Sequence, residues 1–220
     1  MLFESTGTLS AEMRTVAYYD EIILHDKINL ILRYDTVETI KVEAGKNLLP
    51  GIETVVTDGK LIIRDENKFQ WSRDFDQEIT IVISGRSLNK ITYFGAGNIS
   101  SGNLWKADKF EIDSWTGIGS FKLDMEVSYM RLMIRTANAD IQLTGSAKLT
   151  SVYCADYGSI NLANFVSDDV IIDYRSIRKS TINVKNKLDV NIHYKGDIYY
   201  IGNPEINLFR NNSGLLIKAG

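Results

Sequence analysis

Apolar residues along the chain alternate with polar ones or run in short β-branched bursts, and helix-period patterning is almost absent. The bursts include Glu21-Ile22-Ile23-Leu24, Ile28-Asn29-Leu30-Ile31-Leu32, Thr39-Ile40-Lys41-Val42, Lys60-Leu61-Ile62-Ile63 and Glu78-Ile79-Thr80-Ile81-Val82-Ile83. Asp, Gly, Asn or other polar residues flank most of them, so each predicts a strand of about 4–6 residues. One stretch differs: Gly45-Lys46-Asn47-Leu48-Leu49-Pro50-Gly51-Ile52 suits a single helical turn. The pattern predicts an all-β protein.

From about residue 88 the pattern repeats. Ile91-Thr92-Tyr93, Ile112-Asp113-Ser114, Ile134-Arg135-Thr136, Val152-Tyr153-Cys154, Ile172-Asp173-Tyr174 and Ile192-His193-Tyr194 follow one another at intervals of 21, 22, 18, 20 and 20 positions. A second apolar series, Ile99, Phe121, Ile141, Ile160, Ile182 and Ile198, follows a turn in each unit. Between the two series lie small or polar segments such as Gly95-Ala96-Gly97-Asn98, Thr116-Gly117-Ile118-Gly119-Ser120 and Asp156-Tyr157-Gly158-Ser159, read as corners whose Gly and Asn tolerate positive φ. Two short strands per unit predict a right-handed, single-stranded β-helix or solenoid with rungs of about 20 residues, because one rung buries its inward side chains only when stacked on another. A meandering β-sandwich is the rival architecture. The expected organisation is one domain over 15–215, less regular over 15–87 and regular over 88–205, behind an N-terminal extension at 1–14.

The 220 residues bear a net charge of -3 and no run of five like charges, so nothing in them forms a basic footprint for nucleic acid. No apolar run approaches the roughly 18 residues of a membrane span. The single cysteine, Cys154, excludes an internal disulfide and reads as a small buried hydrophobe. The start, MLFESTGTLSAEMRT, lacks a basic n-region and an apolar h-region, so it is not read as a signal peptide.

Candidate chemistry is sparse. Gly95-Ala96-Gly97 is not a dinucleotide loop: Ser100 stands where the third glycine belongs, and a further strand follows instead of a helix. His25 and His193 have no partner at a metal-ligand spacing, the corner acids Asp140, Asp156 and Asp197 read as turn formers, and neither a metal nor a cofactor is expected. In register, Thr92, Asp113, Arg135, Tyr153, Asp173 and His193 would share one outward face, with Tyr93, Ser114, Thr136, Cys154, Tyr174 and Tyr194 stacked inward. Asp113 and Asp173, three rungs apart, would then be about 14 Å from each other, too far for paired acid and base work on a glycosidic bond. Alternation turns Trp115 outward, and exposed rings on a flat sheet hold sugars or proteins. The candidate ligand-binding set is therefore Trp115, Tyr153, Asp113, Arg135, Asp173 and His193, with no catalytic residue among them.

The ordered series Tyr19-Asp20-Glu21-Ile22, Ile28-Asn29-Leu30-Ile31-Leu32, Ile40-Lys41-Val42-Glu43-Ala44, Asn47-Leu48-Leu49, Thr57-Asp58-Gly59-Lys60-Leu61-Ile62-Ile63 and Leu88-Asn89-Lys90-Ile91 with its Gly-x-Gly corner resembles the putative auto-transporter adhesin, head GIN domain family (DUF2807 type). The resemblance covers roughly residues 15–215. Members usually carry a Ser-Gly-x-Gly corner where this chain has Tyr93-Phe94 before Gly95. The resemblance implies a β-helix-like fold in exported proteins, commonly of Bacteroidetes, and no established catalytic residues. It leads to the expectation of a non-enzymatic, extracytoplasmic adhesin or binding module for a surface glycan or protein, its leader absent from this sequence. A pectinase-like β-helix lyase or hydrolase, and a structural or self-assembling module, are the alternatives. Ligand and oligomeric state are left open.

Overall fold

The structure, a computed structural model, describes residues 5–67, 78–136 and 138–219. The alternation does what it predicts. In β12 (Asp140–Asp156) the side chains of Ile141, Leu143, Ala147, Val152 and Cys154 are buried, with exposed or half-buried residues between most of them. β11 (Ser120–Ile134), β12, β13 (Ser159–Ser176) and β14 (Ser180–Ile192) lie parallel and in near register. One inward column reads Ile112, Leu132, Val152, Ile172 and Val190. A second reads Phe121, Ile141 and Ile160. Parallel neighbours offset by about twenty residues make a β-solenoid; a meandering sandwich would pair its neighbours antiparallel. The two strands expected per rung are joined here, so that β11 contains both Phe121 of the second series and Ile134 of the first. All inward columns merge into one core.

Register corrects the expected stacks in both series, and in the second Ser180 pairs with Ile198 where Ile182 was expected. The inward column beside Ile112 runs Tyr93, Ser114, Ile134, Cys154, Tyr174 and Ile192, so Ile134 and Ile192 stand where Thr136 and Tyr194 were expected. Tyr194 is 56% exposed. A strand of alternating pattern shifted by two residues keeps every side chain on its own face, so sequence alone does not separate the two alignments.

The rungs are not stacked in chain order. β2 (Glu21–Leu24) and β3 (Ile28–Tyr34) form a rung that lies between two later ones. On one side are β6 (Lys60–Asp65) and β7 (Ile79–Gly85); on the other are β8 (Lys90–Tyr93) and β9 (Ile99–Ser101). β10 (Trp105–Ser114) then continues the stack from β8 to β11. Beyond β6 and β7 the solenoid is closed by antiparallel strands. β4 (Thr39–Gly45) pairs with β7, β1 (Leu9–Arg14) with β4, and β5 (Ile52–Thr57) with β6. The expected helical turn is the 3-10 turn Leu49–Gly51, whose Leu49 is buried under this cap. At the other end β14 pairs with β16 (Glu205–Asn211), and β15 (Ile198–Ile201) with both β14 and β17 (Leu216–Lys218).

The corner glycines have a different cause from the one expected. Positive φ occurs at Gly7, Gly59, Gly85, Gly145 and Gly202, and not at Gly95, Gly97, Gly117 or Gly119. At Gly97 an added Cβ would overlap the carbonyl of Ile28 in the neighbouring rung, and at Gly119 it would overlap the carbonyl of Gly97. These corners are glycine because backbone stacks directly on backbone.

Candidate functional site

The outward face of the sheet containing β2, β6, β8 and the later halves of β10 to β14 carries three columns. The first alternates in sign from rung to rung: Lys60, Glu21, Lys90, Glu111, Arg131. Nζ of Lys60 and of Lys90 lie 3.5 and 3.4 Å from the Glu21 carboxylate, and Lys90 and Arg131 lie 3.8 and 3.5 Å from that of Glu111. Burial pushes the Glu21 carboxyl up. The hydrogen bond from Thr92 and the ammonium groups of Lys90 and Lys60 outweigh it and hold the group below the usual carboxylate range. A carboxyl depressed in the fold contributes stability that is fully present above its unfolded pKa of about 4.3 and is lost as pH falls through the folded value. The melting temperature should therefore fall once the pH drops below about 4.3, and Glu21→Gln should flatten part of that fall. Parallel melting curves for variant and parent across the acid range would refute this.

The second column is Thr92, Asp113, Met133, Tyr153, Asp173 and Asn191. The third stands one pleat further along: backbone bonds place Phe94, Trp115, Arg135 and His193 directly after the inward column, and Ala155 pairs with Arg175. Arg135 and His193, expected in the Asp113 column, belong to this third one. The two-residue shift keeps them on the same face, so all six predicted residues converge on it.

The third column is a stack of planar groups. His25 lies on Phe94 with centroids 5.1 Å apart, Phe94 on Trp115 at 6.5 Å, and the Arg135 guanidinium 4.2 Å above the Trp115 ring. Arg135 also grips Asp113 bidentately, Nε to Oδ1 at 2.8 Å and Nη2 to Oδ2 at 3.2 Å, and this bond raises its pKa further. The motif recurs two rungs on. Arg175 holds Asp173 at 2.9 and 3.2 Å and lies 5.6 Å from the Tyr153 centroid, and His193 Nε2 is 3.0 Å from the same carboxylate. Planar bidentate pairs of this kind fix both partners. Trp115 is 41% exposed, yet Phe94 covers one of its faces and Arg135 the other. It presents an edge to solvent, not a platform.

Free ring faces occur beside this stack, at the corners. Tyr157 and Tyr194 are 59 and 56% exposed and make no ring contact among the described residues. With Asp156, Arg175 and Ile177 they line an open hollow of about 230 Å³. The corner bearing Tyr157 is braced from the next rung, because Arg178 Nη1 donates to the Tyr157 carbonyl at 3.1 Å and to Asp140 at 2.5 Å. The sequence reading passed over Ile177 and placed Tyr194 inside. The available signal was a large apolar residue at corner positions that otherwise hold Gly, Asn or Asp. A more apolar hollow of about 340 Å³ lies at the capped end, lined by Met13, Val16, Tyr18, Tyr19 and Ile40 among others. Its Arg14 is engaged with the carbonyls of Leu49 and Ile52.

Both carboxylates of the predicted set are bound by arginine, and register puts them three rungs, about 14 Å, apart. No group of three His, Cys, Asp or Glu able to hold a metal occurs among the described residues. Cys154 is buried in the inward column, and burial pushes its thiol up to about 12. No described helix is long and apolar enough to cross a membrane.

Comparison with known proteins agrees with this architecture. Residues 18–204 match the family described as putative auto-transporter adhesin, head GIN domain. Among solved structures, a putative adhesin from Bacteroides fragilis superposes with a TM-score of 0.88 at 19% identity, covering 98% of this chain and all of that one. A putative adhesin from Parabacteroides distasonis gives 0.70 at 16%, over 98 and 99% of the two chains. A putative lipid binding protein from the same species gives 0.52 at 21%, over 97 and 98%. No curated protein matches the chain.

Proposed function

The chain belongs to the putative auto-transporter adhesin, head GIN domain family, and from that premise we propose that it is an extracytoplasmic, non-enzymatic adhesin module that binds a surface glycan at the corner hollow between Tyr157 and Tyr194. The observation that carries this reading is the pair of exposed rings without stacking partners on either side of Arg175 and Ile177. Tyr157 and Tyr194 follow β12 and β14, two rungs apart, and rungs stack at about 4.8 Å, so the rings are spaced by about 10 Å along the solenoid. That separation suits alternate sugars of an extended chain lying along the corner. Apolar ring faces receive the C–H faces of sugars, while the fixed Arg175–Asp173 and His193–Asp173 pairs offer donors and acceptors without leaving an uncompensated charge.

The test is a glycan and host-matrix binding array on the purified protein. The double variant Tyr157→Ala/Tyr194→Ala should lose at least about tenfold in affinity, the value of roughly 1.4 kcal/mol of ring contact. Trp115→Ala, whose ring faces are already covered, should lose much less. Absence of binding across the array would overturn the reading. Release of unsaturated sugars from pectin would replace it with a lyase.

A further inference from the structure

We propose that the C-terminal end of the solenoid is a self-association surface, through which two copies join tail to tail by antiparallel pairing of β16 with β16. The two ends of the stack are finished differently. At the N-terminal end the antiparallel cap covers the last rung, and its own inward residues Ile40, Val42 and Ile52 are at most 2% exposed. At the C-terminal end β16 and β17 are the last strands, each hydrogen-bonded among the described residues along one edge only, to β14 and β15. Ile206 and Leu208 continue the inward columns of Leu188 and Val190, which are fully buried. They are nevertheless 37 and 43% exposed, and Phe209 and Leu215 beside them are 68 and 55% exposed. Core positions and a bare strand edge therefore face solvent together, the combination that pairs with another edge strand.

The charge pattern of β16 favours a second copy as the occupant. Its sequence is Glu205-Ile206-Asn207-Leu208-Phe209-Arg210-Asn211, with the acid at one end, the base near the other and apolar residues between. Glu205 forms no ion pair among the described residues, and Arg210 bonds only Asn212, at 3.2 Å. Both belong to the outward set, since Glu205 pairs with Lys187 and Arg210 with Asn191 in β14. A two-fold axis along the sheet normal, passing through Asn207, reverses the strand, and the extra residue Phe209 in β16 keeps Glu205 and Arg210 on one face. The axis sets Glu205 of each copy against Arg210 of the other and brings the Ile206, Leu208 and Phe209 side chains of both copies together at the centre. Such a contact is isologous and closes at a dimer, which avoids filament growth. The end of one solenoid is a small interface, so the dimer should be weak, dissociating in the micromolar range.

Sedimentation velocity on the full chain across a concentration series tests this. The expected result is a reversible monomer–dimer equilibrium. Glu205→Arg and Arg210→Glu, both at exposed positions, should each weaken the dimer by about tenfold by placing like charges opposite one another. The double variant Glu205→Arg/Arg210→Glu should recover it. Circular dichroism of each variant confirms that the rungs remain folded. A monomer at every concentration would overturn the proposal, as would a dimer indifferent to the single reversals or one that the double reversal does not restore. Glycan binding at the Tyr157–Tyr194 hollow is expected to be independent of these substitutions.

Discussion

Gly97→Ala should destabilise the protein by more than about 3 kcal/mol, although it adds a single methyl group at a surface corner. The added carbon would overlap the carbonyl oxygen and carbon of Ile28 and lie 2.9 Å from the Asn29 amide nitrogen. All three are backbone atoms of the rung below, so no rotamer change relieves the clash. Separating the two corners would also disturb the bond from Leu30 N to Asn98 O at 2.9 Å and that from Asn98 N to Asn29 Oδ1 at 2.8 Å. Gly97 O additionally accepts the buried Tyr93 hydroxyl at 2.6 Å. For a chain of this size each kcal/mol lowers the melting temperature by about 2–4 °C, so a drop of about 10 °C is expected in a thermal melt. Gly59 is the internal control. It has positive φ, but its nearest neighbour to an added Cβ is 4.0 Å away, so Gly59→Asn should cost less than about 1 kcal/mol. Equal effects at the two sites would refute close backbone stacking as the reason for the corner glycines.

Trp105→Ala should cost about 3–5 kcal/mol, measured by urea unfolding. Trp105 is 1% exposed and meets Tyr34 edge-on at 5.8 Å and Phe110 at 6.3 Å. Removing the indole leaves a cavity where a rigid stack of strands has little freedom to collapse. Trp105→Phe should be much milder, because the buried Nε1–H has no acceptor among the described residues and its removal ends an uncompensated desolvation. A loss of less than about 1 kcal/mol in Trp105→Ala would mean that the rung relaxes around the gap.

These two sites differ in how far the sequence revealed them. Trp105 was visible only as one of many aromatics in the repeating half. Its burial comes from Tyr34 and Phe110, and the contact with Tyr34, seventy-one residues earlier, is not encoded in alternation. Gly97 was visible as a corner, and the phosphate-loop reading was rejected on sound grounds, since a strand follows it. The reason assigned to its glycine was nevertheless local, a positive φ, whereas the actual constraint comes from Ile28, sixty-nine residues earlier in the chain.

The candidate site shows the same division. Asp113, Arg135, Tyr153, Asp173, His193 and Trp115 were placed on one face because a two-residue period determines face regardless of a two-residue slip. Which of them touch was not available from that period. The slip moves Arg135 from beside Asp113 in one column to a position above Trp115, where it binds both. Trp115 thereby changes from an open ring into the interior of a stack, and the exposed rings beside that stack are Tyr157 and Tyr194.

By itself, then, the sequence determined the all-β class, the rung of about twenty residues, which apolar residues of the repeating half face inward, and the face on which the polar candidates lie. All of these follow from alternation and spacing within a few residues of each position. Only the tertiary structure decided that β2 and β3 lie between rungs formed later in the chain, that antiparallel strands close one end while core positions stand open at the other, and which outward side chains meet. The physical reason is that parallel rungs bond to segments tens of residues away, and backbone hydrogen bonds are blind to side-chain identity. Alternation specifies what faces inward, and the pairing of distant rungs specifies what each residue touches.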